Sequence, residues 1–261
     1  MARIYPLFSS SRGNSYFIGN EKSGILIDCG VSFRRLSNAL SINNIPLSAV
    51  HGVFITHEHT DHIQGLKVLT KNLNIPVYST RKTLGFLYDK DKVFHGASLI
   101  DMTEKKIVCA DMEITCFSTP HDAVQSCGYK VHTSDGKYCA VCTDLGHVTE
   151  EVQNELKGCR LAVIEANYDE NMLRTGNYPF ELRQRILSPE GHLSNDECGK
   201  LADSLVKCGT CFVILGHLSP ENNRPDIAEK TVQSYMKDLQ RGKDYLMGTA
   251  PCETNGGAVI F

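Results

Sequence analysis

The fold of this chain is decided by one stretch, Val50-His51-Gly52-Val53-Phe54-Ile55-Thr56-His57-Glu58-His59-Thr60-Asp61-His62. Its apolar first half predicts a buried strand, and its second half predicts a tight loop that turns several side chains toward one point. His57 and His59 project to one side of an extended segment, whereas Asp61 and His62 open a helix predicted over residues 61–72. Because the two pairs face different directions, the stretch indicates two adjacent metal ions, each with its own partial ligand shell.

Two other interpretations of this cluster stay open from the residues alone. One is a histidine-rich surface loop with no ligand, and the other is a structural zinc site. A structural site is closed by four ligands, commonly cysteines, whereas this cluster combines histidine with carboxylate and requires further ligands from downstream. The pattern H-x-H-x-D-H resembles that of a known superfamily, which continues with a histidine, an aspartate and a last histidine. The residues that match by this resemblance are His121, Asp144 and His217, and each follows an apolar or alternating run that would end at the C-terminal edge of a strand.

The order of these residues, H-x-H-x-D-H followed by histidine, aspartate and histidine, resembles the metallo-β-lactamase superfamily. The resemblance covers essentially the whole chain and implies one α/β (α+β) domain over residues 1–261, built as a four-layer αββα sandwich with the metal groove between its sheets. It also implies two divalent ions, of manganese, zinc or iron. The metal ligands that it implies are His57, His59 and His121 for one ion, Asp61, His62 and His217 for the other, and Asp144 as a bridge.

Glu165 and His192 resemble the glutamate and histidine of the superfamily's phosphodiesterase branch. A carboxylate that accepts a proton from one ring nitrogen fixes the tautomer of an imidazole and favours its protonated form, so that the other nitrogen can donate to a phosphate. Ser194 and Glu197 form a capping box, which places His192 just before a helix N-terminus. The alternative for His192 is a helix-capping or surface histidine. The catalytic residues predicted are Asp61, Glu165 and His192.

Three further motifs resemble the YycJ/VicX (WalJ) group of small bacterial hydrolases within that superfamily. They are Ser9-Ser10-Ser11-Arg12-Gly13-Asn14-Ser15, Ile27-Asp28-Cys29-Gly30 and His217-Leu218-Ser219-Pro220-Glu221-Asn222-Asn223-Arg224-Pro225. This resemblance implies a metal-dependent 5′→3′ DNA exonuclease linked to mismatch repair, which manganese supports best.

The leading hypothesis is therefore a binuclear phosphodiesterase in which a hydroxide held between the ions attacks phosphorus in line with the departing oxygen. Two hypotheses remain beside it. The first keeps the metals but changes the substrate to RNA or a cyclic nucleotide, because the ligands alone do not distinguish ribose from deoxyribose. The second is a metal-binding scaffold or sensor with little turnover.

One or both of two polar loops, over residues 9–14 and 222–224, are predicted to bind the 5′-phosphate of the DNA. Hydroxyls, amides and a guanidinium near a helix that starts at Pro225 are what a terminal phosphate needs. The alternative is a capped turn that holds the helix start, since asparagine is a favoured capping residue. The substrate-binding residues predicted are Ser11, Arg12, Asn14, Asn222 and Asn223.

Composition agrees with a compact enzyme and excludes a general electrostatic binder of nucleic acid. The formal charge of the 261 residues is −3, so any basic surface must be local. The candidate patch contains Arg174, Arg183 and Arg185, within a connection over residues 171–189 that is otherwise predicted to be solvated and mostly irregular. No apolar run is long enough to span a bilayer and Met1 does not open a charged-then-apolar leader, so we expect a cytoplasmic protein without membrane contact.

Eleven cysteines in a cytoplasmic chain predict reduced thiols, mostly buried. Two C-x-x-C pairs, Cys139/Cys142 and Cys208/Cys211, raise the question of a second zinc site. The first pair lies in a predicted strand, where a separation of three places the sulfurs on opposite faces. A cysteine-based zinc site is therefore disfavoured.

The sequence predicts alternating strands and helices without linkers or repeats. Strands are predicted near residues 4–8, 16–18, 25–28, 50–55, 77–79, 107–109, 113–118, 128–132, 138–142, 161–165, 212–215 and 258–261. Helices are predicted near residues 33–40, 61–72, 150–156, 195–207 and 226–240.

Overall fold

The computed structural model describes residues 3–261, which form two sheets packed face to face with helices outside both. Among these residues the first sheet has seven strands. In spatial order they are β14 (Val259–Ile260), β1 (Arg3–Ser10), β2 (Gly13–Gly19), β3 (Gly24–Ile27), β4 (Val50–Phe54), β5 (Val77–Ser79) and β6 (Leu99–Asp101). The strands from β3 to β6 are parallel to one another, whereas the β1–β2 hairpin is antiparallel.

The second sheet also has seven strands within the described residues. In spatial order they are β13 (Leu246–Thr249), β12 (Phe212–Gly216), β11 (Leu161–Glu165), β10 (Tyr138–Cys142), β9 (Cys127–His132), β8 (Met112–Ser118) and β7 (Lys106–Cys109). The strands from β10 to β13 are parallel, and the strands from β7 to β10 alternate in direction. Each sheet therefore has a parallel half, whose strands all end at one edge.

Nine α-helices and one 3-10 turn (Leu47–Ala49) connect the strands within residues 3–261. The helices are α1 (Phe33–Ile42), α2 (Thr60–Ile63), α3 (Leu66–Leu73), α4 (Arg81–Asp89), α5 (Glu150–Leu156), α6 (Glu170–Thr175), α7 (Phe180–Ile186), α8 (Asn195–Lys207) and α9 (Pro225–Tyr235). None of the helices in this part of the chain has both the length and the apolar character needed to cross a membrane.

Three apolar cores separate the layers. The central core fills the space between the sheets and contains Tyr16, Phe54 and Tyr129, all buried. A second core packs the other face of the first sheet against α1, α3 and α4, and a third packs the second sheet against α5, α8 and α9. Helix, sheet, sheet and helix thus follow one another, and the predicted four-layer αββα sandwich is confirmed.

The helix predicted over residues 61–72 is interrupted at Gly65. The amide of Gly65 donates to the carbonyl of Cys29 at 2.9 Å, and a Cβ at position 65 would lie close to Val31 and Cys29. The chain therefore packs backbone against backbone at this point, and two shorter helices, α2 and α3, replace the single predicted one. The last predicted helix is also shorter than expected, because α9 ends at Tyr235.

Several short elements are not predicted by the sequence pattern: α4, α6, α7, β6 and β13. The connection over residues 171–189, predicted to be mostly irregular, instead contains α7 and most of α6, which pack on a small core of Tyr168, Leu173 and Ile186. Helices of six or seven residues are marginal by local propensity alone, so this packing rather than the sequence pattern decides their formation.

All eleven cysteines, which lie within the described residues, are free thiols. Cys139 belongs to the core between the sheets and Cys142 to the core under the outer helices, so their side chains point to opposite faces of β10. Cys208 is exposed and Cys211 is partly buried. The expected opposite orientation of the first pair is confirmed.

Candidate metal centre

The strand ends of both sheets meet at one edge of the sandwich, where the predicted ligands lie. His57 follows β4, His121 follows β8, Asp144 follows β10 and His217 follows β12. Two of these residues adopt the left-handed backbone region, with φ of 58° at Asp144 and 55° at His217. Non-glycine residues rarely occupy this region, and when they do they concentrate at functional sites. The sharp turn after each strand aims the side chain across the edge toward the opposite sheet.

The structure brings the first predicted trio together. His57, His59 and His121 each offer a ring nitrogen, and these nitrogens lie within 4.8 Å of one another. Nε2 of His121 is 3.3 Å from Nδ1 of His59, and the rings of His57 and His59 meet edge to face with centroids 4.6 Å apart. Three imidazoles around one point form an open donor set of the kind that catalytic metal sites use.

The second predicted trio is also brought together. Asp61, His62 and His217 place their ligand atoms within 4.8 Å of one another. Oδ2 of Asp61 lies 3.5 Å from Nε2 of His62 and 3.5 Å from Nε2 of His217. Asp61 and His62 stand in the short helix α2, so both side chains leave the same helical turn, as the sequence pattern indicated.

Asp144 lies between the two trios. Its carboxylate is 3.7 Å from Nε2 of His121 in the first trio and 3.2 Å from Nε2 of His62 in the second. It is fully surrounded by protein, with an exposed fraction of 2%. A carboxylate in this place can contribute one oxygen to each side, which is the geometry that a bridging ligand requires.

Hydrogen bonds that Nδ1 donates leave the lone pair of several histidines on Nε2, the atom that can bind a cation. Nδ1 of His121 donates to the carbonyl oxygen of Gly191 at 3.0 Å, and Nδ1 of His217 donates to Oε1 of Glu165 at 2.7 Å. Nδ1 of His62 donates to Oδ2 of Asp28 at 2.7 Å. Because carbonyl and carboxylate oxygens only accept, the proton must sit on Nδ1 in each ring.

Thr56 fixes His57 by the same logic. Its hydroxyl donates to Oδ2 of Asp28 at 2.9 Å, so the hydroxyl oxygen is left to accept from Nδ1 of His57 at 3.0 Å. Nε2 of His57 is thereby directed toward the ligand cluster. Asp28, with φ of 62°, thus organises two ligands, although from the sequence it stands out only as part of a motif. Its signal is an aspartate directly after the apolar strand β3.

Glu165 carries the predicted contact to His192 and a second contact that was not predicted. Oε1 accepts from Nδ1 of His192 at 2.9 Å and from Nδ1 of His217 at 2.7 Å. Oε2 accepts from the backbone amides of Leu145 at 2.8 Å and Leu193 at 3.1 Å. One fully buried carboxylate therefore ties a predicted ligand histidine to a histidine that keeps 15% of its side chain exposed.

Asn167 and Ser9 are further supports of His217 that were not predicted as such. The side-chain amide of Asn167 donates to the carbonyl of His217 at 2.9 Å, and the hydroxyl of Ser9 accepts from the backbone amide of His217 at 2.7 Å. The strained backbone of His217 is thus held on both sides. Ser9 belongs to the motif over residues 9–15, but its contact with His217 joins distant segments of the chain, as does that of Asn167, so the sequence pattern does not predict either contact.

The electrostatics of the cluster reflect the burial of several opposite charges together. Burial favours a neutral Glu165, but His192 and His217 outweigh it and hold the pKa of Glu165 at about 2. Burial likewise favours a neutral His217, yet Asp144, Asp61 and Glu165 raise the pKa of His217 to about 10. Burial dominates at His57, aided by His62, and lowers its pKa well below the ordinary value. The cluster holds its carboxylates charged and requires positive charge beside them.

The residues present fit a metal cation. Three ligand atoms have no hydrogen-bond partner although they are buried: Nε2 of His57, Nε2 of His217 and Oδ2 of Asp144. Buried polar atoms are normally paired, because each unpaired atom costs about 1–3 kcal/mol. Each of the three is directed at the centre of the cluster. Divalent ions bound by these atoms would remove that penalty.

The predicted substrate loops divide into engaged and exposed residues. Asn14 is buried, and its side-chain amide nitrogen lies 3.3 Å from Oδ2 of Asp61 and 3.1 Å from Nε2 of His62. Asn223 is buried as well, and its side chain bonds to Asn195 and to the carbonyl of Ala166. Both asparagines therefore support the centre or its surroundings instead of offering free atoms to a phosphate.

The other three predicted loop residues lie in different environments. Ser11 and Arg12 are exposed at the turn between β1 and β2. Asn222 is 1% exposed, and its backbone forms hydrogen bonds with Ser219 and Asp169. Its side-chain nitrogen Nδ2 has no hydrogen-bond partner. Of the five, Ser11 and Arg12 alone present polar groups to solvent next to the centre.

Of the candidate basic patch, Arg185 is linked to the centre through Asp122. Arg185 makes a bidentate contact with Asp122, with Nη2 donating to Oδ1 at 3.0 Å, and the same Oδ1 is 3.4 Å from Nε2 of His121. Arg183 instead donates to the carbonyl of Arg174, and Arg174 pairs with the exposed Glu170. The three arginines do not form a single surface.

Comparison with known proteins agrees with this geometry. Residues 24–217 match the family model described as Beta-lactamase superfamily domain, which spans most of the chain and all of the ligands named above. The chain belongs to the beta-lactamase superfamily. As a member of that family it is a metal-dependent hydrolase, and the enzyme class predicted from the sequence is confirmed.

Two relatives within the beta-lactamase superfamily align over nearly the whole chain. The chain is 31% identical over 239 residues to the protein named Exodeoxyribonuclease YycJ of Bacillus anthracis, covering 89% of this chain and 88% of that one. It is 33% identical over 244 residues to Exodeoxyribonuclease WalJ of Streptococcus pneumoniae serotype 2, covering 92% and 90%. The predicted resemblance to the YycJ/VicX (WalJ) group is confirmed.

A solved structure shows that the superfamily fold extends over nearly the complete chain. The metallo-beta-lactamase fold protein YhfI from Bacillus subtilis superposes with a TM-score of 0.72 at 15% identity, covering 97% of this chain and 98% of that one. At this identity the similarity concerns the fold alone. The metallo-β-lactamase sandwich predicted from the ligand pattern is therefore confirmed as a single domain.

Proposed function

We propose that this chain is a two-metal phosphodiesterase that degrades DNA from an end in the 5′→3′ direction. The observation that carries the proposal is the shared oxygen of Glu165, which joins the metal-ligand His217 to the more exposed His192. This contact couples the ligand cluster to a group that can deliver a proton. The names of the two relatives, both exodeoxyribonucleases, support DNA as the substrate.

In this proposal His57, His59 and His121 would hold one divalent ion, and Asp61, His62 and His217 would hold the other. Asp144 lies between the two trios and would serve both. Bound divalent ions would supply the positive charge that polarises a phosphodiester and activates a water molecule for attack on phosphorus. The imidazole and carboxylate donors together suit manganese, zinc or iron. By similarity to the YycJ group we expect manganese to support activity best.

His192 is placed to act on the phosphate or on the leaving oxygen. Its ring centroid is 5.1 Å from that of His121 and 5.3 Å from that of His217, so it stands between the two ligand groups. Glu165 accepts a hydrogen bond from Nδ1 of His192 at 2.9 Å, which fixes the ring and leaves Nε2 for contact with the substrate. A proton carried on Nε2 would be shared with the phosphate oxygens or transferred to the departing 3′-oxygen.

We further propose that the enzyme acts in the cytoplasm, where its eleven free cysteines would stay reduced. RNA and cyclic nucleotides are alternative substrates of the same chemistry. A scaffold with little turnover is the alternative outside catalysis.

The test is incubation of the metal-loaded enzyme with DNA labelled at either the 5′ or the 3′ end, in parallel with RNA and cyclic nucleotides. We expect release of mononucleotides from the 5′ end of DNA. An Asp144→Asn variant, purified identically, controls for contaminating nuclease and should be inactive. Absence of cleavage with manganese, zinc and iron would refute the enzyme, whereas turnover confined to RNA or cyclic nucleotides would replace its substrate.

A further inference from the structure

A cavity of about 350 Å³ opens beside the second metal trio. Its walls come from four segments that are far apart in sequence: the β1–β2 turn, helix α1 with the loop before it, the loop after His217 and the loop after β13. We call this cavity the arginine groove. Its lining includes Ser10, Arg12, Gly13, Arg35, Pro220 and Glu253. Its volume is at the small end of the range for ligand pockets and suits one nucleotide or less.

The inner end of the groove is attached to the metal ligands. Ser9, next to the wall residue Ser10, accepts the backbone amide of His217, and Asn14 in the same hairpin contacts Asp61 at 3.3 Å. Pro220 follows His217 by three residues. A group bound in the groove would therefore sit next to the side of the centre formed by Asp61 and His217.

The β1–β2 turn is pressed against the neighbouring loop. A Cβ at Gly13 would overlap the side chain of Val31 and lie 2.9 Å from the carbonyl oxygen of Gly30, and φ at Gly13 is +154°. Glycine is therefore required for this close approach. The approach fixes where Arg12, the preceding residue, leaves the backbone at the rim of the groove.

The two cations of the groove are held only by exposed carboxylates. Arg12 pairs with Glu221 at 3.3 Å and Arg35 pairs with Glu253 at 2.7 Å, and the four side chains are between 44% and 73% exposed. Exposed pairs of this kind contribute about 0–1 kcal/mol, so a doubly charged phosphate can displace the carboxylates at little cost. Arg35 also lies over the ring of the buried Phe8, 4.8 Å from its centroid, which positions the guanidinium.

We propose that the arginine groove is a phosphate subsite, which binds the terminal phosphate monoester of a nucleic acid strand whose adjacent phosphodiester lies at the metal centre. The inference rests on the proposed function and adds to it the way in which an end is recognised. Arg12 and Arg35 both line the groove, and guanidinium groups are well suited to recognise phosphate oxygens. A monoester carries more charge than a backbone diester, so the groove selects ends over internal positions.

The test compares oligonucleotides that carry a 5′-phosphate, a 3′-phosphate or no terminal phosphate. Binding is measured by fluorescence anisotropy with the manganese-loaded enzyme and phosphorothioate-linked strands that resist cleavage, and cleavage is measured with ordinary strands. We expect at least a tenfold preference for one phosphorylated end in both assays, reduced to less than threefold in Arg12→Ala and Arg35→Ala. Arg81→Ala, which removes an exposed arginine paired with Asp101 far from the groove, should keep the preference.

The outcomes separate this inference from the proposed function. Cleavage without any preference for a phosphorylated end, or a preference that both arginine variants retain, overturns the subsite and leaves the nuclease intact. If the arginine variants bind phosphorylated and unphosphorylated strands equally more weakly than wild type, the groove binds the phosphodiester backbone. That result overturns its assignment to a terminal phosphate. Arginine-dependent binding of a phosphorylated end by an enzyme that cleaves nothing supports the subsite and overturns the nuclease.

Discussion

Oδ2 of Asp28 lies 2.7 Å from Nδ1 of His62, and both side chains are buried. The remaining oxygen of Asp28 accepts the backbone amide of Thr56 at 2.9 Å, and Oδ2 also accepts the Thr56 hydroxyl. The carboxylate therefore sets the tautomer of one proposed ligand directly and that of His57 through Thr56. Removal of a carboxylate that accepts a hydrogen bond from a ligand histidine typically lowers metal affinity by one to two orders of magnitude.

Asp28→Asn should lower the affinity for manganese or zinc by about 10–100-fold without unfolding the protein. An amide at position 28 must turn its NH₂ group toward either the amide of Thr56 or the ring of His62, so one of the two contacts is lost. Affinity is measured by competition with a chelating dye. Asp101→Asn, which alters a partly buried aspartate in the same sheet far from the ligands, is the matched control and should bind metal normally.

His192→Ala should lower turnover by about 10²–10⁴-fold and leave the metal content unchanged, because His192 makes its close contact with Glu165 and is not among the proposed ligands. Glu165→Gln should lower both quantities, because its NH₂ group must replace either the oxygen that accepts from His192 and His217 or the oxygen that accepts from two backbone amides, and an NH₂ group can accept from neither pair. Turnover and metal content by elemental analysis distinguish the two variants. Loss of metal in His192→Ala would show that His192 is a ligand instead.

The residues whose positions follow from the sequence are those at the ends of strong strands. Apolar runs predict β4, β10 and β12 with little error, and a polar side chain directly after such a run must emerge at the edge of the sheet. The apolar runs therefore place His57, Asp144 and His217 each at the C-terminal edge of a strand, and the resemblance to the superfamily predicts that they share one cluster. A turn at the end of each of these strands is also expected, because the chain must leave the edge of the sheet there before it returns to form the next strand.

The supports of the cluster are harder to predict, because they depend on contacts between segments that the sequence does not pair. Asp28 reaches His62 across two neighbouring strands, and Asn223 bonds to Asn195 across 28 residues. The sequence shows a polar residue near a strand or helix end in both cases, yet whether it faces the groove or a neighbouring loop is decided by packing. Short helices such as α6 and α7 escape prediction for the same reason.

Metal-free enzyme should show a pH-dependent stability contribution from His217. Its pKa is raised to about 10 by Asp144, Asp61 and Glu165 against the effect of burial. A raised histidine pKa stabilises the fold fully below the ordinary value near 6.5, and that contribution is lost as the pH rises toward 10. The difference in unfolding free energy between wild type and His217→Gln should thus narrow by more than about 1.4 kcal/mol, the equivalent of one pH unit in a pKa.

The measurement is urea unfolding in the presence of a chelator at about pH 6.5, 8 and 9.5, since bound metal would mask the protonation of the ligand. Wild type and variant must share the same dependence on urea for their free energies to be compared. A constant difference across the three pH values would mean that the buried carboxylates do not act on His217 as described.

Gly30→Ala should disrupt the predicted metal centre although Gly30 has no side chain that could bind a metal ion. A Cβ there would overlap the carbonyl oxygen of Asp61 and lie 2.5 Å from the backbone nitrogen of Asn14, so either α2 or the β1–β2 hairpin must move. Because Asp61 and His62 both stand on α2, we expect metal affinity to fall at least tenfold and stability to fall by about 1–3 kcal/mol, the usual cost of forced overpacking.

Gly85→Ala in α4 is the matched control, because a Cβ at position 85 meets no atom within 4 Å. That variant should gain about 0.5–1 kcal/mol from helix propensity and bind metal normally, as urea unfolding and dye competition would show. Unchanged metal affinity in Gly30→Ala would show that the ligand helix tolerates displacement.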